Sequence, residues 1–336
     1  MLIDKILRMS NFKYCAVIRT LGKAGEKYQR ELNSLCRQTM PPEKILVYIP
    51  EGYELPKETC GREVYIRSPK GMIAQRSLPF KEVDTEYILF LDDDVELPAN
   101  GVEHLLQVMK SEGADCIIPR IYRHDKDNFF QKIFGYFHSG QFIHHDRKWD
   151  VKIRRDGAFS FYSGQCDETM PTQSGAGACC LCRVDAYQAI HFDDERWLDN
   201  FRFPSGEDQL FYYKMFIHGF KLMSVNNTGI VHLDARSAGR PDISLKQRYQ
   251  KAIAFIIWWR TQYEVRGRGK IRCVAAYAWR VLMGMLFCPV EAVYYHHSRF
   301  VPDFFRGIWD GWRYVHSDNY RRLLKFDAYR KGAQVK

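Results

Sequence analysis

Three consecutive carboxylates, Asp92, Asp93 and Asp94, directly follow an apolar run at 87–91. Carboxylates this close repel one another, and a divalent cation that prefers oxygen ligands, Mg²⁺ or Mn²⁺, offsets that repulsion. In an extended segment residues i and i+2 point the same way, so Asp92 and Asp94 can face one ligand. The alternative interpretation is a solvated turn. The segment predicts a metal site only if other residues of the chain support it.

Other residues with suitable chemistry accompany these carboxylates. Arg76 lies in a predicted helix, where its guanidinium can bind a diphosphate. Glu207 and Asp208 begin another predicted helix, either as catalytic carboxylates or as caps that match the helix dipole. His232 ends a short strand pattern and is either a further metal ligand or a core histidine. Gly177 precedes a strand and lets a ligand approach the backbone closely.

These residues lie in a part of the chain that alternates between strand and helix patterns. The pattern predicts strands at 15–20, 44–49, 63–67, 87–91 and 178–183, and the apolar runs at 15–20 and 87–91 indicate buried ones. Helical patterns are found at 25–38, 71–83, 101–111 and 207–218. The alternation predicts an α/β fold with a mainly parallel central sheet flanked by helices. Ligands of such sheets bind beyond the carboxyl ends of the strands, which is where the three carboxylates stand.

Residues 121–170 interrupt this alternation, because they are polar, aromatic and poorly periodic. We interpret them as an insertion or acceptor loop. Their four histidines, which we expect to be mostly solvated, are His124, His138, His144 and His145.

The net charge of +10 is unevenly distributed along the chain. Residues 240–336 include 19 basic and 7 acidic side chains, whereas residues 1–239 include 31 basic and 33 acidic ones. The patterns therefore predict a catalytic domain at 1–240 and a basic, helical C-terminal extension at 241–336. The excess charge of the extension favours an anionic partner. The extension has no recognisable nucleic-acid motif, so we expect no nucleic acid, and a membrane surface is the simpler partner.

The most apolar part of the extension, at 273–295, has ten uncharged residues between Arg280 and Glu291. A spanning helix needs about 20 apolar residues, so we expect a helix that lies in the membrane interface or packs in the core. The N-terminal residues lack a signal-peptide pattern. The ten cysteines show no disulfide-like spacing, and the apolar run that holds Cys179, Cys180 and Cys182 suggests small buried side chains. These features favour the cytoplasm.

The order and spacing of the motifs resemble glycosyltransferase family 2 over about residues 13–235. The segments that carry this resemblance are AVIRT, KG with AQR, YILFLDDDVELP, SGAGACCLCR, FDDERW, GEDQLFYYK and VHLD. The resemblance implies the GT-A fold, which is Rossmann-like, and inverting transfer of a sugar from a nucleotide-diphosphate donor to an acceptor hydroxyl. It also implies Mn²⁺ or Mg²⁺ as a cofactor. A metal that stabilises the departing diphosphate removes the need for a protein acid, so one base on the opposite face suffices.

The resemblance further implies roles for individual residues. Asp208 would be the general base, and Asp94 and His232 would bind the metal. The residues implied to bind the donor are Thr20, Arg76, Asp92 and Asp93. The residues implied to bind the acceptor are Glu207, Gly177 and Trp197.

One departure from the family pattern leaves the nucleotide open. Many relatives have DDGS after the second strand, whose Asp reads the base, whereas this chain has Pro50-Glu51-Gly52-Tyr53. A UDP-sugar is favoured, and GDP and dTDP stay open. The expected acceptor is a glycan or lipid-linked glycan in cell-surface polysaccharide or glycolipid synthesis, with the enzyme peripheral on the inner face of the plasma membrane.

Other classes of protein explain the motifs less well. A catalytically degenerate member that binds a glycan or acts as a scaffold is the main alternative. A phosphatase of the haloacid dehalogenase type would place Thr or Val where Glu96 stands, and a dinucleotide enzyme would need GxGxxG after a strand.

Overall fold

The computed structural model describes residues 12–121, 142–162, 164, 167–234, 243–265, 267–294 and 296–330. Of the four histidines expected to be solvated, His124 and His138 lie outside these residues. His145 is exposed, whereas His144 is half-buried, and its Nε2 lies 2.8 Å from the carbonyl oxygen of Trp149. The expectation of a solvated side chain is therefore wrong for His144.

Eight strands form one central sheet. From edge to edge they are β3 (Glu63–Ser68), β2 (Lys44–Pro50), β1 (Tyr14–Arg19), β4 (Tyr87–Asp92), β11 (Cys179–Arg183), β6 (Cys116–Pro119), β12 (Leu222–Val225) and β10 (Thr169–Pro171). Strand β11 is antiparallel to both of its neighbours, and β10 is antiparallel to β12. The other four pairings are parallel, which confirms the predicted mainly parallel sheet.

Two smaller sheets accompany the central one. Strand β5 (Val95–Glu96) pairs with β13 (Val231–His232). A three-stranded sheet is formed by β7 (Phe142–His144), β8 (Val151–Ile153) and β9 (Phe159–Tyr162). The region predicted as a loop thus contains a small sheet. Its strands are only three or four residues long, which gives too few alternations for a period of two to be detected.

Helices connect and cover the strands. They are α1 (Glu26–Cys36), α2 (Met72–Arg76), α3 (Gly101–Glu112), α4 (Val184–Ala189), α5 (Glu207–Ile217), α6 (Ile243–Trp258), α7 (Lys270–Tyr294), α8 (Phe300–Val315) and α9 (Asp318–Arg321), with a 3₁₀ segment at Phe192–Asn200. The helix predicted at 71–83 ends at Arg76. Pro79 cannot continue it, and Phe80 has a φ of 40°, which takes the backbone out of the helical region.

Both faces of the central sheet are buried. Alternate residues of β1 point to opposite sides, so Val17 joins one apolar cluster and Ile18 joins the other. Helices α1 and α3 cover the Ile18 face, and α4, α5 and α6 cover the Val17 face. The cysteines of β11 are buried as expected, and they add small apolar side chains to the two clusters.

The first helix of the C-terminal extension belongs to this core. Ile253 and Ile256 of α6 lie in the same apolar cluster as Val17. Just after α6, Arg260 donates hydrogen bonds of 2.7 and 2.9 Å to the fully buried Glu195. Burial alone would raise the pKa of Glu195, but the positive charges of Arg260 and Lys214 lower it to about 2. The division at residue 240 stays a prediction, but α6 packs as a part of the catalytic core.

Helix α7 is the most exposed apolar element among the described residues. By length and composition alone it is the one described helix that could cross a membrane, with a mean hydropathy of 1.6 over its most apolar window. Such a single helix is weak evidence for a span. Its exposed apolar side chains include Trp279, Leu286, Val290 and Val293. Most of α7 is therefore not a core helix.

Candidate functional site

The candidate site lies where the carboxyl ends of β1 and β4 meet the amino end of β11. The register places Arg19 beside Asp92, and Arg19 Nη2 donates to Asp92 Oδ1 at 3.0 Å. The backbone N–H of Asp92 donates to the carbonyl of Ala178 at 2.9 Å, which brings Gly177 to the same edge. Strand β11 reaches the site with its amino end because it runs antiparallel to β4.

Arg76 is the centre of the charged network. Its guanidinium lies 2.9 Å from Asp208 Oδ1, 3.4 Å from Asp92 Oδ1 and 3.6 Å from Glu207 Oε1. Its side chain is only 15% exposed. Burial alone would lower the pKa of Arg76, but the charges of Asp208, Asp92 and Glu207 raise it above its usual value. Arg76 therefore stays charged and holds carboxylates from two different elements together.

Helix α2, which presents Arg76, is fixed by a carboxylate that the motif analysis did not single out. Asp199 accepts hydrogen bonds of 2.9 Å from the backbone N–H groups of Ile73 and Ala74. These are donors of the first helical turn, which have no partner within the helix. Gly71 has a φ of 149°, and a Cβ there would lie 2.7 Å from Asp199 Oδ2. The FDDERW segment that precedes Asp199 is one of the motifs of the sequence, but it did not predict that Asp199 caps α2.

Glu207 and Asp208 stand in the first turn of α5. Asp208 Oδ2 accepts from the backbone N–H of Gly177 at 3.0 Å, while Oδ1 faces Arg76. Burial raises the pKa of Asp208, and the charge of Arg76 opposes that effect. Burial and the negative charge of Asp208 raise the pKa of Glu207 to about 7. Two carboxylates with raised pKa values in a cleft are suited to proton transfer near neutral pH.

Thr20 and Asp93 form a second contact at this edge of the sheet. Thr20 Oγ1 donates a short hydrogen bond to Asp93 Oδ2. Burial is the main reason why the pKa of Asp93 is raised to about 6, and the negative charges of Asp94 and Asp92 add to the effect. The hydrogen bond from Thr20 opposes this shift. Asp93 is 7% exposed. The structure thus places these two predicted donor residues together at the carboxyl ends of β1 and β4.

Asp94 and His232 are brought together by the pairing of β5 with β13. His232 Nε2 lies 3.0 Å from Asp94 Oδ1, and the backbone N–H of Leu233 donates to the carbonyl of Asp94 at 2.8 Å. The hydrogen bond with Asp94 raises the pKa of His232. Within the described residues no group of three or more His, Cys, Asp or Glu side chains is arranged to hold a metal. This pair can offer one oxygen and one nitrogen ligand.

A polar stripe on α1 holds the segment that follows the three carboxylates. Glu31 accepts from the N–H of Val95 at 3.3 Å, and Ser34 Oγ accepts from the N–H of Leu97 at 3.2 Å. One turn further, Gln38 accepts from the N–H of Val102 at 3.1 Å. The sequence signal was available, since Glu31, Ser34 and Gln38 recur at helical spacing beside buried Leu32 and Leu35. The stripe replaces sheet hydrogen bonds that the short β5 cannot make.

Trp197 does not reach this cluster. Its indole is 3% exposed, and its Nε1–H donates to Glu195 at 2.7 Å. It packs against Phe201 and Tyr314 instead. A side chain enclosed in the core cannot contact an acceptor that binds in the cleft, so the acceptor role expected of Trp197 does not fit the structure.

Comparison with known proteins bears on the motifs that lie between β3 and β11. Residues 54–190 match the family model described as glycosyl transferase family 2. The match spans 137 of the 336 residues, and this stretch is similar to a family 2 glycosyltransferase domain. The matched stretch includes Arg76, the three carboxylates and Gly177. Asp208 and His232 lie beyond it, so their roles depend on the geometry described above.

Two solved structures are similar to the chain. One is GalNAc-T7, crystallised with UDP, GalNAc and Mn²⁺, at a TM-score of 0.47 and 13% identity over 85% of this chain and 58% of that one. The other is TarS of S. aureus, at a TM-score of 0.45 and 13% identity over 80% of this chain and 43% of that one. The chain thus spans less than two thirds of either protein. A search of curated proteins gives no match.

The close approach of Gly177 to Asp208 leads to a prediction. A Cβ at Gly177 would lie 1.7 Å from Asp208 Oδ1, so Gly177→Ala must push that carboxylate away from Arg76. A misplacement of about 1 Å costs on the order of 10²-fold in rate, and we expect a loss of sugar transfer of at least that size. Chemical denaturation should show a much smaller effect, because only one part-exposed side chain moves.

A matched control is Gly269→Ala, since a Cβ there meets nothing closer than 3.7 Å. This variant should keep both transfer and stability. Normal transfer by Gly177→Ala would show that the position of Asp208 does not matter for the reaction.

Proposed function

We propose that the protein is an inverting glycosyltransferase that moves a sugar from a nucleotide-diphosphate donor to an acceptor hydroxyl. The observation that carries the proposal is the convergence of Asp92 and Asp208 on one guanidinium, Arg76, with Arg76 and Asp92 inside the stretch that matches the family 2 model. A donor-binding carboxylate and a candidate base thus lie on two sides of the same cleft. The pathway we favour is the synthesis of a cell-surface polysaccharide or glycolipid.

Asp208 is proposed as the general base. Its backbone contact with Gly177 and its ion pair with Arg76 fix the direction of the carboxylate. A positioned base of this kind contributes about 10²–10⁴ in rate. When it removes the acceptor proton, direct attack on the anomeric carbon from the face opposite the nucleotide inverts that centre. Glu207, whose pKa is raised to about 7, is proposed to orient the acceptor hydroxyl beside the base.

A divalent cation, Mn²⁺ or Mg²⁺, fits the residues on the other side of the cleft. Asp94 and His232, 3.0 Å apart, would hold it, and oxygens of the donor diphosphate would fill its remaining positions. The bound cation would stabilise the negative charge of the departing diphosphate. Thr20 fixes Asp93 through its hydroxyl, and Arg19 fixes Asp92, so the donor meets an ordered set of carboxylates.

The donor class and the metal are tested together by calorimetry. We expect one of UDP, GDP and dTDP, with UDP favoured, to bind in Mn²⁺ and to bind at least about tenfold more weakly in EDTA. Asp94→Ala should remove this metal dependence, because one of the two protein ligands is lost. Glu86→Ala, which changes an exposed carboxylate just before the amino end of β4, serves as a control and should bind like the wild type. Absence of nucleotide binding would instead favour a degenerate glycan-binding scaffold.

The base assignment predicts a characteristic dependence on pH. Asp208→Asn should lower transfer by about 10²–10⁴ while donor binding is kept, because the amide is of the same size but cannot accept the proton. For the wild type, transfer at saturating metal should rise with pH between about 4 and 7. In that range the raised pKa values of Asp208 and Glu207 leave part of the pair protonated.

Glu207→Gln is the informative companion variant. It removes a neighbouring negative charge, so the pKa of Asp208 should fall and the pH profile should move to lower pH. An unchanged profile in Glu207→Gln, together with near-normal turnover of Asp208→Asn, would refute the base assignment.

The C-terminal extension is proposed to dock on the inner, cytoplasmic face of the plasma membrane, where a lipid-linked glycan would be the acceptor. The exposed apolar side chains of α7 and α8 support this, among them Trp279, Leu286 and Trp309 at 53%, 61% and 56% exposure. Exposed arginines accompany them at Arg272, Arg299, Arg306 and Arg313. Arg280 donates to the carbonyl of Asp156 at 3.0 Å, which ties the middle of α7 to the catalytic domain. A helix held in this way suits the membrane interface better than a span.

Vesicle flotation tests this docking. The wild type should float with vesicles of phosphatidylcholine and phosphatidylglycerol and should be released partly by salt. Leu286→Ser and Trp309→Ser should each weaken binding by about tenfold, since burial of such a side chain contributes about 1.5–3 kcal/mol. Leu55→Ser, at an exposed apolar residue of the catalytic domain, should bind normally. Equal binding by all three variants, or none by the wild type, would rule the surface out.

A further inference from the structure

A cavity of about 550 Å³ lies behind the first turn of α5, between that helix, α6 and α7. Gly206 and Gln209 line it from α5, and these residues bracket Glu207 and Asp208 in the chain. The cavity therefore lies next to the candidate base but is lined by none of the carboxylates that face the donor. Its size is within the range of small-molecule sites, which is about 300–1,000 Å³.

The charge of the cavity wall is strongly positive. Lys246 and Lys251 of α6 and Arg280 of α7 line it, and Glu291 is the one carboxylate among the lining residues. Burial and the positive charge of Arg280 lower the pKa of Lys251 to about 8, although the negative charge of Glu291 opposes this shift. The two cations thus repel each other, and an anion bound in the cavity would reduce that repulsion.

The wall also offers hydrogen-bond donors. Gln247 is 7% exposed and lines the cavity, and its amide Nε2 has no hydrogen-bond partner among the described residues. A buried amide donor left without a partner is destabilising, so a ligand acceptor at this place would be favourable. Arg280 gives one N–H to the carbonyl of Asp156, and a guanidinium carries four further donors.

We infer that this cavity binds a phosphate or diphosphate group of the acceptor, next to the base that activates the acceptor hydroxyl. Three cations facing one carboxylate match a group with two or more negative charges, and the ammonium and guanidinium donors match phosphate oxygens. The space beyond such a group is large enough for a first sugar unit. This inference rests on the proposed function, because it assigns the acceptor of that reaction.

The test is titration calorimetry with inorganic pyrophosphate in EDTA, which suppresses metal-dependent binding at the donor site. Lys246→Gln, Lys251→Gln and Arg280→Gln should each weaken pyrophosphate binding by about tenfold or more. Lys246 is exposed at the rim, so its variant stays informative if the other two are unstable. Arg272→Gln, which changes an exposed arginine of the same helix outside the cavity, should bind like the wild type.

Two results with pyrophosphate, and one with glucuronate, would overturn the inference. One is equal pyrophosphate affinity in the wild type and all three cavity variants. The other is a loss of binding in Asp94→Ala alone, which would place the probe in the donor site. Tighter binding of glucuronate than of pyrophosphate would also overturn it, because the cavity would then select a carboxylate.

Nucleotide binding in Mn²⁺, measured on the same variants, separates the two proposals. If cavity variants lose pyrophosphate but the wild type binds no nucleotide, the proposed function fails while the anion site remains. If nucleotide binding is normal and the cavity variants bind pyrophosphate as tightly as the wild type, only the cavity assignment fails. Competition by farnesyl diphosphate in phosphatidylcholine vesicles identifies the source of the group. If farnesyl diphosphate competes more strongly than pyrophosphate, the acceptor is borne by a lipid. If the two compete equally, the acceptor is soluble.

Discussion

The structure depends on how a group of partly buried carboxylates is kept in place at one edge of the sheet. Asp92, Glu207 and Asp208 surround Arg76, and Arg19 supports Asp92 from the neighbouring strand. Close by, Asp93 and Asp94 add further negative charge, so carboxylates outnumber guanidinium groups. Burial is the main reason why the pKa values of Glu207 and Asp208 are raised although Arg76 is adjacent, and neighbouring carboxylates add to the effect. A bound cation or a bound proton at this edge would offset the remaining negative charge.

The groups that hold this edge come from distant parts of the chain. Asp199 caps the helix that carries Arg76, and the 3₁₀ segment that ends at Asn200 also contains Glu195, the partner of Arg260. The extension is thus connected to Arg76 through one short segment. Removing one partner of a buried ion pair costs about 3–5 kcal/mol, so the Glu195–Arg260 contact strongly constrains the position of the carboxyl end of α6, which stops at Trp258. The catalytic edge and the extension cannot be treated as independent units.

The sequence predicted the parts of this arrangement that depend on local pattern. Long apolar runs located β1, β2, β3 and β4, and the position of Asp92 to Asp94 followed from the end of β4. Contacts between residues that are far apart in the chain were harder to predict from the sequence. Glu31 looks like any acidic residue of an amphipathic helix until its burial beneath Val95 is known. Trp197 stands in a segment that resembles a motif of glycosyltransferase family 2, but its indole donates a hydrogen bond to Glu195 inside the core. The sheet at residues 142–162 has strands too short for periodicity to reveal.

The first turn of α5 separates two surfaces of opposite charge. On one side Asp208 faces Arg76 and Gly177, at the end of the strands where a diphosphate and its metal would bind. On the other side Gly206 and Gln209 border a cavity whose cations come from α6 and α7. Gly206 has a φ of 87°, and a Cβ there would lie 2.6 Å from Ile257 of α6, so the turn and that helix must approach closely. Gly206 thus belongs to the turn that joins the cavity wall to the candidate base, and a side chain there would push this turn away from α6.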